Sequence, residues 1–282
     1  MQSSKRVAVI TGAASGIGLA LAQACTQRGI HVVMADNAAT VLNDQVKQLT
    51  SQGKADVLGV ECDVTKPESV DNLAKLAMER FQRIDWLFNN AGISGHLAPV
   101  WELDNDSIHK VMDVNLFGVI HGIKSFLPIM FEQQHRSQII NMASIYGLCS
   151  GSGMAAYAMS KHAIVALSES LYFDLQRLGK PVDVSVVCPS FANTGLLTNS
   201  MPADDNKFQL MLGDLIARSR PAEDVAEHII NEVEKHTFYI LPDREAKEYC
   251  QQRTTAIVEQ TSPHQHSLEK IISVLSKRAA SR

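Results

Sequence analysis

Short apolar runs alternate with longer amphipathic stretches along most of this chain. The runs are rich in valine and isoleucine and lack polar alternation, which is typical of strands buried on both faces of a parallel sheet. Seven strands are predicted, at Arg6–Thr11, His31–Asp36, Ala55–Asp63, Ile84–Asn90, Gln138–Ser144, Val182–Ser190 and Phe238–Pro242. Helical patterns fill the intervals, the first ending near Arg28 and the others covering about 39–52, 67–82, 104–132, 155–178 and 221–235.

This alternation predicts an α/β fold with a doubly wound, seven-stranded parallel sheet that helices cover on both faces. A TIM barrel alternates in the same way, but seven strands and a glycine turn directly after the first of them favour the open sheet. No linker or internal repeat interrupts the first part of the chain. We therefore expect one domain over 1–242 and a helical extension over 243–282.

Composition narrows the class of protein. The 282 residues are 45% apolar and 20% charged, and the net charge of -4 argues against nucleic acid or an anionic membrane as the main partner. No apolar run approaches the roughly 20 residues of a membrane helix, and the N-terminal run is too short for a signal peptide. The 5 cysteines are scattered without a CxxC pair, so we expect no disulfide framework, no metal site and a cytoplasmic location.

A glycine-rich turn, TGAASGIG at 11–18, directly follows the first strand. Gly12 permits a sharp turn, Gly16 lets the backbone approach a pyrophosphate, and Gly18 allows the helix to pack closely. The free N–H groups and the positive dipole end of that helix face the same place, where Ser15 adds a hydroxyl donor. A plain helix-capping turn is the alternative, but the position after strand one favours a nucleotide site.

An acidic residue, Asp36, ends the second strand at about the expected distance, roughly 20 residues, from the glycines. Its carboxylate can accept both ribose hydroxyls of an NAD adenosine and would repel the 2′-phosphate of NADP. Asn37 follows it, so no arginine or lysine stands there to bind such a phosphate. We therefore expect NAD as the cofactor, while a helix N-capping role for Asp36 competes for the same position.

Two further polar turns follow predicted strands. Asp63–Val64 ends the third strand, and the fourth leads into Asn90, Ala91 and Gly92. Ligands of doubly wound sheets lie beyond the carboxyl ends of the strands, so these turns are placed to meet the adenine and ribose sides of the cofactor. Considered alone, either stretch is explained equally well as an ordinary polar turn.

Tyr157 and Lys161 stand at i, i+4 in the stretch AAYAMSKHA, a spacing that puts both side chains on one helix face. A nearby ammonium lowers the pKa of a tyrosine from its ordinary value of about 10, which would make Tyr157 a usable general acid/base. Ser144 ends the fifth strand, where its hydroxyl can hold a substrate oxygen as negative charge develops. Without this context, such a pair is more often a surface tyrosine beside a lysine.

The order of these motifs resembles the short-chain dehydrogenase/reductase family over about residues 5–242. The motifs are, in chain order, TGAASGIG, Asp63, NNAG, Asn115, Ser144, Tyr157-x-x-x-Lys161 and Pro189–Thr194. The resemblance implies a single Rossmann-type domain and NAD(P)-linked oxidation of an alcohol or reduction of a carbonyl. It also implies a homodimer or homotetramer, joined partly through the helices that carry Asn115 and Tyr157.

The resemblance also implies roles for single residues. Tyr157 is the acid/base, Lys161 lowers its pKa and holds the nicotinamide ribose, and Ser144 orients the substrate. Asn115, which the pattern alone places inside a helix, shapes a proton relay through water to Lys161. The expected cofactor contacts are Gly12, Ser15, Gly16, Ile17, Gly18, Asp36, Asp63, Val64, Asn90, Ala91, Gly92, Tyr157, Lys161, Pro189 and Thr194.

One departure from the family's pattern concerns the turn after strand six. The family often has Pro-Gly there, whereas this chain has Pro189–Ser190, so the geometry of the turn is open. Thr194 still stands where a hydroxyl would meet the nicotinamide carboxamide.

Residues 191–219 interrupt the alternation of strand and helix and carry many apolar side chains. One interpretation is a substrate lid with an apolar inner face, which favours an apolar alcohol or ketone. An ordinary helical pair packed on the core is an equal alternative. Further pocket candidates are His96, Trp101, Ile145 and Met154.

The extension over 243–282 has two parts. The first is mostly polar and predicts an exposed helix. The second places Leu268, Ile271, Ile272 and Leu275 on one stripe, which must bury against this subunit or a neighbour. We expect the extension at a subunit interface or over the cleft.

The leading hypothesis is an NAD-dependent oxidoreductase of a small-molecule alcohol or ketone, in which Tyr157 exchanges the proton. An NADP-linked carbonyl reductase is the second hypothesis, opposed by Asp36 and Asn37. A non-catalytic NAD-binding sensor is the third, opposed by the intact set of Ser144, Tyr157 and Lys161.

Overall fold

Seven parallel strands form one open sheet in the part of the chain that the structure, a computed structural model, describes: residues 5–194, 196, 213 and 219–280. The strands are β1 Val7–Thr11, β2 His31–Asp36, β3 Val57–Glu61, β4 Trp86–Asn89, β5 Ser137–Met142, β6 Val182–Val187 and β9 Tyr239–Ile240. A second, two-stranded sheet pairs β7 Ala192–Asn193 with β8 Arg220–Pro221. The order β3-β2-β1-β4-β5-β6-β9 confirms the doubly wound sheet, and its two free edges exclude a barrel.

Helices cover both faces of this sheet, as the sequence predicts. They are α1 Gly16–Gln27, α2 Ala39–Ser51, α3 Pro67–Phe81, α4 Asn105–Met112, α5 Gly118–Glu132, α6 Ala155–Leu178, α7 Ala222–Val233, α8 Arg244–Val258 and α9 Ser267–Ala280. Helices α1, α2 and α7 pack on one face, where Leu21 and Ile229 are completely buried. Helices α3, α5 and α6 pack on the other around Leu73 and Phe126. The inner strands of the sheet therefore bury both faces, which explains their unbroken apolar runs, whereas the edge strands β3 and β9 are partly exposed.

Several strands are shorter than predicted because a strand extends only as far as its neighbours pair with it. β6 ends at Val187 rather than Ser190, since its partner on β5, Met142, is the last residue of that strand. β9 is reduced to Tyr239–Ile240, which pair with the last two residues of β6. The residues beyond the ladders become turns at the carboxyl edge of the sheet.

The predicted helix over 104–132 is divided by a π-helical turn at Asp113–Phe117, between α4 and α5. Its start is as expected for a capped helix, since the Asp104 carboxylate accepts from the Ser107 N–H at 2.7 Å. A π-helical turn adds a residue to the helical repeat and often marks a functional site. Here it contains Asn115, whose side chain is completely buried.

The helical run Asn105–Glu132 is long and apolar enough to meet simple criteria for a membrane span. Core helices of globular proteins meet the same criteria. Phe126 and Met130 of α5 are completely buried in the cluster formed with α3 and the sheet, which is how a core helix packs.

The C-terminal extension only partly follows its predicted pattern. Ile272 of α9 is buried at 3% exposure, whereas its neighbour Ile271 is 43% exposed, so this subunit buries one of these two stripe positions and leaves the other open. Successive residues point about 100° apart around a helix, and α9 turns the Ile272 side inward. The side chains of Leu268 and Leu275 lie outside the described residues, as does most of the predicted lid over 191–219, which stays a prediction.

Candidate active site

A cavity of about 640 Å³ lies at the carboxyl edge of the sheet, lined by turns that follow β1 to β6. All the residues predicted from the sequence to contact a cofactor line this cavity. They are Gly12, Ser15, Gly16, Ile17, Gly18, Asp36, Asp63, Val64, Asn90, Ala91, Gly92, Tyr157, Lys161, Pro189 and Thr194. Parallel strands deliver their carboxyl ends to one edge, which is why turns so distant in sequence meet here.

The glycine turn is packed too closely for side chains. Gly12 has φ +65°, and a Cβ on it would lie 2.8 Å from the Cα of Ala91. A Cβ on Gly18 would lie 2.1 Å from the carbonyl oxygen of Gly12. Ser15 precedes α1 with extended backbone, and its side chain makes no capping hydrogen bond. The first N–H groups of α1 therefore face the cavity as an anion site requires.

Thr11 joins this turn to the turn after β4, a role that the sequence analysis missed. Its hydroxyl accepts from the N–H groups of Asn90, at 3.0 Å, and Ala91, at 3.1 Å, and donates to the carbonyl of Phe88 at 3.3 Å. The Asn90 amide donates back to the carbonyl of Thr11 at 2.8 Å. A hydroxyl residue at a strand end beside a glycine turn is the signal that could have indicated this bridge.

Asp36 at the end of β2 holds the neighbouring backbone in place. Its two carboxylate oxygens accept from the N–H groups of Ala14 and Ala38, both at 3.0 Å. The N-cap of α2 is Ala38, so the predicted capping position for Asp36 is wrong, although the carboxylate does bind the N–H of that cap. Each oxygen has two lone-pair sites, so Asp36 keeps acceptor capacity toward the cavity.

Asp63 follows β3 and is fixed by its own turn. Its carboxylate accepts from the backbone N–H of Thr65 at 3.0 Å and from the hydroxyl of the same residue at 2.7 Å. The hydrogen bond from the Thr65 hydroxyl is the main reason that the pKa of Asp63 lies below its ordinary value. The group is thus an anchored carboxylate in the cavity wall.

Ser144, Tyr157 and Lys161 meet at the end of β5. Ser144 begins a 3₁₀ turn at Ile145–Gly147, and its hydroxyl oxygen accepts from the N–H of Tyr146 at 3.3 Å. The Ser144 hydroxyl lies near Tyr157, where it acts to lower the pKa of the phenol. The Lys161 ammonium lies 5.6 Å from the centre of the Tyr157 ring and donates to the carbonyl of Met142 at 2.8 Å. All three residues are buried and line the cavity.

Burial shifts the pKa values of Tyr157 and Lys161 in the directions that favour the neutral form of each side chain. It raises the pKa of Tyr157 to about 12, and the nearby Ser144 hydroxyl acts in the opposite direction. It lowers the pKa of Lys161 to about 8. Desolvation of the phenolate is the main cause of the raised pKa of Tyr157, and the expectation that Lys161 lowers that pKa stays a prediction.

Asn115 lies behind the cavity wall and does not line it. Its amide pairs with the backbone of Ile93, accepting from the N–H at 2.8 Å and donating to the carbonyl at 2.9 Å. It also donates to the Ser160 hydroxyl at 3.0 Å. The π-helical turn thereby fixes both the turn after β4 and the helix that carries Tyr157, and the relay role implied for Asn115 stays a prediction.

The turn after β6 accommodates serine at the position where the family often has glycine. Ser190 is not among the described residues with positive φ, so its backbone needs no glycine. Its N–H donates to the Asp243 carboxylate at 2.7 Å, which ties the turn to the start of α8. The change from Pro-Gly therefore leaves an ordered turn.

Of the further pocket candidates predicted from the sequence, one lines the cavity and three do not. Met154 lines the cavity, whereas Ile145 is buried beside it and His96 and Trp101 are exposed away from it. Phe191 and Leu196, from the segment predicted to cover the substrate, line the cavity, as does Ile272 of the extension expected at an interface or over the cleft, whereas sequence reasoning missed Tyr146.

Removing the hydroxyl of Thr11 should loosen the cavity. Thr11→Val keeps the side-chain shape but leaves the N–H groups of Asn90 and Ala91 without their acceptor. We expect the free energy of unfolding to fall by about 1–3 kcal/mol in denaturant titrations, and the nicotinamide cofactor to bind more weakly by calorimetry. Thr11→Ser, which keeps the hydroxyl, is the control. Wild-type stability and affinity in Thr11→Val would contradict this bridge.

Comparison with known proteins identifies the family of this chain. The profile of the family described as short chain dehydrogenase matches residues 6–205. The CLA biosynthesis dehydrogenase/reductase of Lactiplantibacillus plantarum is 34% identical over 95% of this chain and 98% of its own. The 1-deoxy-11-beta-hydroxypentalenate dehydrogenase of Streptomyces avermitilis is 37% identical over 88% of each chain.

A solved structure is similar over almost its whole length. The crystal structure of a short chain dehydrogenase/reductase from Burkholderia phymatum in complex with NAD superposes with a TM-score of 0.88 and 33% identity, covering 94% of this chain and 99% of that one. The cavity geometry and these likenesses agree. The chain belongs to the short-chain dehydrogenase/reductase family and is an NAD(P)-dependent oxidoreductase of alcohols or ketones.

Proposed function

We propose that this protein is an NAD-linked dehydrogenase that oxidises an apolar secondary alcohol, with Tyr157 as the general acid/base. The observation that carries the proposal is one continuous cavity with an anion site at the glycine turn and Ser144, Tyr157 and Lys161 at its other end. The bound nicotinamide would supply the hydride acceptor, or the donor in the reverse reaction. The direction follows from the cell's pool of NAD, which is mostly oxidised.

The chain's own groups divide the proton chemistry between them. The Ser144 hydroxyl, which lines the cavity with Tyr157, orients the substrate oxygen next to the phenol. Tyr157 takes the proton of the alcohol in oxidation and returns it in reduction. Because burial raises the pKa of Tyr157 to about 12, the phenol is protonated at neutral pH and oxidation requires positive charge beside it. Lys161, which is more than half protonated below its pKa of about 8, supplies such charge.

The choice of NAD over NADP rests on Asp36. Its carboxylate lines the cavity and retains acceptor capacity for ribose hydroxyls beside its bonds to Ala14 and Ala38. A 2′-phosphate at the same place would meet a negative charge at short range. The relative solved with NAD supports the same choice.

Replacing Tyr157 separates an enzyme from an NAD-binding sensor. Tyr157→Phe should lower turnover of secondary alcohols by about 10²–10⁴-fold while leaving the Kd for NAD nearly unchanged, because it removes the proton acceptor alone. Steady-state kinetics and calorimetry measure the two effects, and oxidation by the wild type should accelerate as pH rises toward about 8, above which Lys161 loses its charge. Tyr172→Phe on the same helix is the control. A wild-type protein that binds NAD and oxidises no alcohol in a broad panel would contradict the proposal.

Neutralising Asp36 tests the cofactor preference. The wild type should use NAD with at least about tenfold higher kcat/KM than NADP, a difference of about 1.4 kcal/mol. Asp36→Asn, which keeps the size of the side chain and an acceptor oxygen, should reduce that ratio roughly tenfold by removing the repulsion. Asp63→Asn, at another carboxylate of the cavity wall, serves as the control. Equal use of both cofactors by the wild type would overturn this assignment.

We also propose that the protein is a homo-oligomer in the cytoplasm. Large apolar side chains are exposed on the π-helical turn and on α6, at Phe117, Met159 and Phe173. The π-helical turn packs against α6, so these positions belong to neighbouring elements. A second copy of the chain covering them would bury apolar surface that is otherwise in water.

A charge in this surface should break the oligomer. Phe173→Glu places a carboxylate where the partner would pack, so we expect a smaller mass by light scattering at the same concentration. Ile257→Glu, at a similarly exposed apolar position on α8, is the control and should keep the wild-type mass. A wild-type protein that is monomeric at micromolar concentration would refute the assembly.

A further inference from the structure

The C-terminal extension forms part of the wall of the active-site cavity. Ile272 of α9 lines the cavity at 3% exposure and belongs to the same buried cluster as Tyr146, Met154 and Tyr157. The cluster contains no residue of the glycine turn. Ile272 therefore stands at the reacting end of the cavity, away from the anion site.

Polar contacts fasten α9 to the loop that leads into α6. The Glu269 carboxylate accepts from the backbone N–H of Ser152 at 2.9 Å and also from the hydroxyl of that residue. A Cβ on Gly151 would lie 2.9 Å from the same carboxylate, so the glycine is what lets the helix come this close. The loop ends only a few residues before Tyr157, which couples the position of α9 to the catalytic helix.

His266 provides a second attachment, immediately before α9. Its Nε2 donates to the carbonyl of Ser150 at 3.0 Å, and its Nδ1 accepts from the N–H of Glu269 at 3.2 Å. The ring stacks on Tyr249 of α8 at 4.5 Å between centroids. His266 is thus a buried link between α8, the loop and α9.

We propose that Ile272 is a specificity-determining residue that sets how long an apolar substituent the substrate alcohol can carry. This inference rests on the proposed function, because it takes Tyr157 as the place where the hydroxyl of the substrate reacts. With α9 fastened to the loop at its first turn, the helix does not retreat when a substrate enters, and the side chain at 272 limits the space beyond Tyr146 and Met154. The substrate class is an alcohol whose carbinol carbon carries a hydrocarbon chain or ring.

The test is a series of 2-alkanols from 2-butanol to 2-decanol, assayed with NAD as kcat/KM. Ile272→Phe should lower kcat/KM for the longest alcohols by about tenfold or more and leave 2-butanol nearly unchanged, because it shortens the apolar wall. Ile272→Ala should shift the preferred length upward. Ile271→Phe, one residue away and facing solvent, is the matched control and should keep the wild-type profile.

A variant without the Glu269 carboxylate, which binds Ser152, distinguishes the positioning of α9 from general damage to the fold. Glu269→Ala should raise KM for the long alcohols while kcat for 2-butanol stays near the wild-type value, since the reacting groups keep their places. Equal losses for every alcohol would overturn the inference. The same conclusion would follow if Ile272→Phe and Ile271→Phe gave the same dependence of kcat/KM on chain length.

Binding measurements separate failure of this inference from failure of the proposed function. Thermal shifts of the NAD-loaded protein with each 2-alkanol report binding without turnover. Length-dependent binding that follows the side chain at position 272, without Tyr157-dependent turnover, would support the inference and refute the dehydrogenase proposal. Tyr157-dependent turnover of polar alcohols, with no 2-alkanol bound by the wild type, would do the reverse.

Discussion

The burial of Lys161 is the constraint around which the active site is organised. Its ammonium group is held inside the protein by a hydrogen bond to the carbonyl of Met142 at 2.8 Å, and burial lowers its pKa to about 8. The surroundings leave space for the residue: a Cβ on Gly92 would lie 3.5 Å from Nζ, and one on Gly147 would lie 2.8 Å from the Lys161 carbonyl. A buried charge with so few partners is costly, so the fold keeps it for a function rather than for stability.

The same burial determines the resting state of Tyr157. Desolvation favours the neutral phenol, and the nearby Ser144 hydroxyl opposes this only in part. The protein by itself therefore holds a proton donor next to a hydroxyl that can orient an oxygen. An added positive charge in the cavity would favour the phenolate, which links proton transfer to cofactor occupancy through ordinary electrostatics.

Hydrogen bonds between the turns of the cavity and α6 hold Tyr157 and Lys161 in position. Thr11 links the turns after β1 and β4, and Asn115 links the turn after β4 to α6 through Ile93 and Ser160. These bonds join elements that are distant in sequence, and each buried donor and acceptor that they satisfy makes the turns more rigid. The C-terminal extension adds Ile272 to the wall of the cavity that these groups line.

Local patterns along the chain were enough to predict the doubly wound sheet, the cavity at its carboxyl edge and the shared helix face of Tyr157 and Lys161. Unbroken apolar runs indicate strands buried on both faces, and i, i+4 spacing places Tyr157 and Lys161 on one helix face. Contacts between distant segments determine the strand ends, the pKa of Tyr157 and the orientation of α9, which those patterns could not predict. β6 stops where β5 does, and burial raises the pKa of Tyr157 to about 12. Ile272 rather than Ile271 turns inward because α9 is fastened to the loop before α6. These outcomes arise from through-space packing and solvation, which no spacing along the chain specifies.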